Sequence, residues 1–204
     1  MRYHTTILLA AGAFAVHVAA IQVRSEVPEG YTIQPMTWRG VIEKDGPEMA
    51  FNGTIQQVEA QIQAMKPGFT WQALRRDLGM PQTSLQKRSK DKIYCDIGGD
   101  LSVPNGPLTV HVEWAHDALQ ANTGTCAVDG GPKVCSRVAC SSNAGVWLCN
   151  DSTDRIEPKC HDLASYVQDI IGRCNKDSHG HKTTRGQEFD TGNFIVNTGW
   201  ASDC

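Results

Sequence analysis

Residues 134–149 read VCSRVACSSNAGVWLC. Val134 to Cys140 and Val146 to Cys149 are short runs rich in apolar and β-branched residues. Ser141-Ser142-Asn143-Ala144-Gly145 between them is a turn-rich loop, so the stretch predicts a β-hairpin. On its N-terminal side Gly130-Gly131-Pro132 breaks the chain. Further back, Leu108, Val112, Ala115 and Leu119 recur on one helical face. The same stretch also alternates at 108, 110, 112 and 114 as a strand would, and its length to Ala121 favours the helix. Ile93 to Ile97 is a short strand stopped by Gly98-Gly99. On the C-terminal side, Asp151 to Pro158 is a connector. Leu163, Tyr166, Val167, Ile170, Ile171 and Cys174 then form an amphipathic helix, and Gly186–Asp190 with Asn193–Thr198 form the last strand region. The order strand, helix, strand, strand, helix, strand is the split βαβ pattern. It predicts an α+β domain, a four-stranded antiparallel sheet with two helices on one face.

The eight cysteines are Cys95, Cys126, Cys135, Cys140, Cys149, Cys160, Cys174 and Cys204, all in the C-terminal part. There is no Cys-x-x-Cys pair, and the spacings match no zinc module, so the count predicts a disulfide-stapled domain with no metal. Cys160 and Cys174 lie 14 residues apart on the amphipathic helix, about 21 Å along its axis at about 1.5 Å per residue. A disulfide needs Cα atoms within about 7 Å, so these two must take different partners and pin the two ends of the helix. Cys204 is expected to tie down the tail. The remaining connectivity is open.

Residues 1–20, MRYHTTILLAAGAFAVHVAA, read as a signal peptide. Arg2 supplies the basic start, Ile7 to Ala20 is apolar apart from His17, and Val18 with Ala20 suits cleavage after Ala20. The apolar run is shorter than the roughly 20 residues that span a bilayer, so stable membrane insertion is not expected. Together with the cysteines this predicts a secreted, extracellular protein, and later entry into host cells is compatible with it. Residues 21–88 hold no cysteine. Thr54 and Gln57 make a capping box ahead of Ile55, Val58, Ile62 and Met65, and Lys66-Pro67-Gly68 ends that helix. Tyr31-Thr32-Ile33 and Met36-Thr37-Trp38 are strand-like. The core of this unit is too small to stand alone without packing on something else. It ends at Gln86-Lys87-Arg88-Ser89, where a kexin-like protease would cut after the basic pair Lys87-Arg88. The segment is therefore a propeptide or a retained N-terminal lobe, and residues 89–204 are the cysteine-rich domain. Asn52 and Asn150 head glycosylation sequons.

Chemistry is harder to place. His111, Glu113 and His116 do not have zinc-protease spacing and read as surface residues. His179 and His181 sit in a polar loop. No nucleophile elbow or phosphate loop occurs, and the expected disulfides leave no thiol nucleophile. No catalytic residue and no cofactor is expected, and an enzyme is the less favoured reading. Among enzymes a secreted ribonuclease-like hydrolase, using Glu113, Arg137, His111 and His161, is the one to test. Residues 89–204 carry ten Lys and Arg against fifteen Asp and Glu, a net charge of −5, so binding to nucleic acid through phosphates is not expected.

Cys135-Ser136-Arg137-Val138-Ala139-Cys140, then Trp147-Leu148-Cys149-Asn150-Asp151, a helix ending at Cys174 and Gly186-Gln187-Glu188-Phe189 together resemble fungal small secreted cysteine-rich, effector-like proteins. The resemblance covers roughly residues 130–200. It extends more loosely to Thr37-Trp38-Arg39-Gly40 and Phe51-Asn52-Gly53-Thr54. The element order and the basic pair are also similar in architecture to the killer toxins of smut fungi. The first resemblance implies a virulence protein that binds a host protein in or at host tissue without catalysis. The second implies an antimicrobial protein directed at a competitor.

Overall fold

The computed structural model describes residues 27–81, 89–97, 99 and 105–204. Ala20, Lys87 and Arg88 lie outside the described residues, as does the whole signal segment. The elements run β1 (Thr32–Ile33), β2 (Thr37–Val41), β3 (Glu48–Asn52), α1 (Ile55–Met65), α2 (Trp71–Asp77), β4 (Lys90–Cys95), α3 (Thr109–Ala121), β5 (Thr125–Ala127), β6 (Val134–Ser141), β7 (Ala144–Asn150), α4 (Cys160–Cys174), β8 (Asn175–Ser178), β9 (His181–Thr184), β10 (Gly186–Asp190) and β11 (Phe194–Trp200). The class is α+β, with α3 and α4 packed on one large sheet.

The sheet itself differs from the expected four antiparallel strands. It has six, in the order β1-β6-β7-β11-β10-β4, and it is mixed. Two causes account for the difference. The last strand region is a hairpin, not one strand: Thr191 to Asn193 turn the chain, Asn193 has φ 59°, and β10 pairs antiparallel with β11. In addition, β1 from the N-terminal segment joins the β6 edge in parallel, with Thr32 opposite Val134. A parallel partner from distant sequence leaves no local turn signal.

All eight cysteines are bridged: Cys95–Cys174, Cys126–Cys160, Cys135–Cys149 and Cys140–Cys204. The α4 ends go to different strands, Cys160 to β5 and Cys174 to β4. Cys204 holds the tail against β6. Cys135 and Cys149 face each other directly across the β6–β7 pair.

The N-terminal segment shares the core of the cysteine-rich part. Thr54 caps α1 with the expected reciprocal Gln57 bonds, and Ile55, Val58 and Ile62 point inward. They join Met36, Trp38, Trp71 and Leu74 in one buried cluster with Val112, Leu119, Val138 and Leu148. Strand β2 lies between β3 and β5 in a second sheet, so Trp38 faces Cys126 across the β2–β5 pair. The Trp38 indole N–H donates to Asn122 Oδ1 at 2.8 Å, and that oxygen also accepts the Gly124 N–H at 2.9 Å. Gly124 is required by close approach: a Cβ there would sit 2.4 Å from the Trp38 ring and from the Arg39 carbonyl oxygen. Gly124→Ala is therefore expected to lower stability by about 1–3 kcal/mol, read from a urea midpoint, because the fully buried indole has nowhere to move. A loss under about 0.3 kcal/mol would show that Trp38 is not held this tightly.

Candidate functional site

Helices α3 and α4 run antiparallel. Thr109 at the start of α3 hydrogen-bonds Asn175 just past α4, and Cys160 N–H at the start of α4 donates to Gly124 O just past α3. His111 and His161 therefore sit at opposite ends of the helix pair, about 15 Å apart at about 1.5 Å rise per residue. Arg137 is on neither helix surface. It lies opposite Trp147 in β6–β7, and Trp147 belongs to the cluster with Cys135, Cys149 and Ile195 on the far face of the sheet. Its guanidinium binds Asp203 of the tail at 2.7 Å and holds that carboxyl below its usual range. The Glu113, Arg137, His111 and His161 groups thus do not converge. His116 is a correction to the reading of surface histidines. It is buried, because position 116 shares a face with Val112 and Leu119, and its Nδ1 lies 2.9 Å from Asp117 Oδ1.

His179 and His181 are exposed on a β8–β9 hairpin rather than an irregular loop. His179 and Gly180 both have positive φ, the backbone of a tight two-residue turn. Among the described residues no group of three or more His, Cys, Asp or Glu could hold a metal ion, and no helix is long and apolar enough to cross a membrane. Asn52 is exposed at the end of β3, and its Oδ1 accepts from Thr37. Asn150 is fully buried. Its amide donates to Asp129 O at 3.0 Å and Asp154 O at 2.7 Å, so a glycan there would have to be added before this fold forms.

A cleft of about 670 Å³ opens between α2 and α3, lined in part by Arg75, Arg76, Asp117 and Gln120. The Arg75 guanidinium is spent on the chain itself: it donates to the carbonyls of Gln120, Asn122 and Pro81. Burial pushes it below its ordinary value. It acts as a rivet between the N-terminal segment and α3.

The outward side of α3 has no such internal use. Val110, Glu113, Trp114 and Asp117 fall at helical spacing on the solvent face, with Val110 42% and Trp114 51% exposed. Leu108, 37% exposed, extends the apolar part, and the His111 ring lies 5.1 Å from the Trp114 ring. The stripe combines a rigid aromatic, two aliphatic groups and two carboxylates. Its signal was available in the sequence, since Trp114 stands off the Leu108–Leu119 apolar face.

No family model matches the chain, and neither does any characterised protein or solved structure. The functional reading rests on the residues above and on the motif resemblance.

Proposed function

We propose that the protein is a secreted fungal effector that binds a host protein in or at host tissue and does so without catalysis. The observation that carries this reading is the α3 stripe. A half-exposed Trp114 beside Val110 and Leu108 is kept on a helix anchored by packing on α4 and the sheet. Aromatic anchors on rigid elements carry much of the affinity in protein recognition, because little side-chain entropy is lost. Glu113 and Asp117 flank the anchor, and the cysteine-rich part carries a net charge of −5. The complementary partner is a protein surface with an apolar socket rimmed by Lys or Arg. The four disulfides suit an oxidising extracellular setting.

The test uses the purified secreted protein, applied to plant leaves, to fungal lawns and to RNA. Host cell death or immune suppression is the expected response. Trp114→Ala is expected to reduce it at least tenfold while shifting stability by no more than about 0.5 kcal/mol, since the side chain is half exposed. Growth inhibition of a competing fungus without a host response would replace this reading with the killer-toxin one. RNA cleavage that is lost in His111→Ala would replace it with a hydrolase. A host response unchanged by Trp114→Ala would sink the α3 surface.

A further inference from the structure

Asp190, at the end of β10, is a buried carboxylate, 8% exposed. Its hydrogen bonds all come from neutral donors. The Tyr166 hydroxyl donates to Oδ2 at 2.6 Å, the Gly192 N–H donates to Oδ1 at 2.7 Å, and the Ser89 hydroxyl reaches both oxygens at 2.8 and 3.0 Å. Among the described residues no cation pairs with it. The nearby Lys90 ammonium is engaged by Asp169, by the Ser165 carbonyl at 3.0 Å and by Glu188 at 3.9 Å, and it lies over the Tyr166 ring. A buried anion without a counter-ion is costly, and a cation placed beside it recovers part of that cost.

Ser89 is where such a cation can arise. It follows Lys87-Arg88 directly, yet it is already clamped: its carbonyl accepts the Thr191 N–H at 2.9 Å while its hydroxyl holds Asp190. In any staggered rotamer a serine nitrogen lies within about 4 Å of its own Oγ. The Ser89 nitrogen is therefore within roughly 7 Å of the Asp190 carboxylate, near the range at which opposite charges favour one another.

We propose that hydrolysis of the peptide bond before Ser89 converts the chain into a two-chain protein that stays together, with the new Ser89 ammonium as the counter-ion of Asp190. In the cut, water supplies hydroxide to the Arg88 carbonyl carbon and a proton to the Ser89 nitrogen, and the amine takes a second proton from solvent near neutral pH. No disulfide links the two chains, since every cysteine lies at or after Cys95. They are held by the shared core, by the β1–β6 and β2–β5 pairings, and by Trp38–Asn122 and Arg75. Tyr31 adds a hydroxyl bond to Asp151 at 2.6 Å. Cleavage here trims and locks a junction; it does not discard a propeptide.

This proposal rests on passage through the secretory pathway, where dibasic-specific proteases act. Making the cut in vitro with such a protease separates a failure of docking from a failure of passage. The nicked full chain is analysed by native and denaturing mass spectrometry, and its Ser89 amine is acylated with a limiting amount of an N-hydroxysuccinimide ester near pH 7. The expected result is one native particle that contains both chains, with acylation at Ser89 at least threefold slower than in nicked Asp190→Asn, because the carboxylate keeps the amine protonated. Should Asp190→Asn not fold, the nicked wild type unfolded in urea serves as the fast reference. Separation of the chains under native conditions, or equal acylation rates, would overturn the proposal.

Discussion

Trp38→Ala is expected to lower stability by about 3–5 kcal/mol, the range for emptying a large buried aromatic site. Trp38 is completely buried and sits where three things meet. Its ring lies 5.4 Å from Trp71 and 5.9 Å from Phe51, which belong to the N-terminal segment. Its indole N–H holds Asn122 at the end of α3, and its backbone lies opposite Cys126. The substitution therefore removes packing inside the N-terminal segment and the seam to the cysteine-rich part together. Against a typical total of about 5–15 kcal/mol, such a loss takes a large share of the whole. Urea unfolding followed by circular dichroism gives the measurement. A change under about 1 kcal/mol would mean that this seam does not hold the two segments. The same reasoning predicts that residues 89–204 made alone expose Val112, Leu119, Val138 and Leu148, which the N-terminal segment helps to cover, and collapse without fixed packing.

Removal of the Cys95–Cys174 bridge by a double substitution to Ala is the second large effect. Its sequence separation of 79 is the widest of the four, and chain entropy puts its contribution near 4.5 kcal/mol at 25 °C. It also ties the C-terminal end of α4 to the edge strand β4, where Cys95 stands opposite Gly186. A loss of about 2–5 kcal/mol is expected, with β4 exchanging its amide protons first in hydrogen-exchange measurements. Intact stability after removal of this bridge, or protection of β4 unchanged, would show that sheet pairing alone secures the edge.

Much of the cysteine-rich frame was legible because its signals are local. The 134–149 hairpin, the α3 face and the α4 face come from periods of two and 3.6 residues. The different partners of Cys160 and Cys174 follow from helix rise alone. The six-stranded sheet was not legible: the β10–β11 turn at Thr191-Gly192-Asn193 was merged into one strand, and β1 arrives from 101 positions before its partner, as the Thr32 hydroxyl contact with Lys133 shows. Strand β3 and helix α2 were missed since each is short. The burial of His116 needed the helix wheel rather than the His-to-His spacing. The Asp190 cluster joins residues 89, 166, 190 and 192, which no sequence window contains. The absence of a local core in residues 21–88 did carry information: a unit too small to stand alone was found sharing the core of its neighbour.

The central claim is that the N-terminal segment and the cysteine-rich part form one structural unit. Protein secreted by a eukaryotic host, weighed without reduction under native and then denaturing conditions, tests it directly. The predicted result is a native particle that contains both segments, whether or not the chain has been cut before Ser89, with eight hydrogens missing for the four disulfides. A stable native particle with the mass of residues 89–204 alone would contradict it.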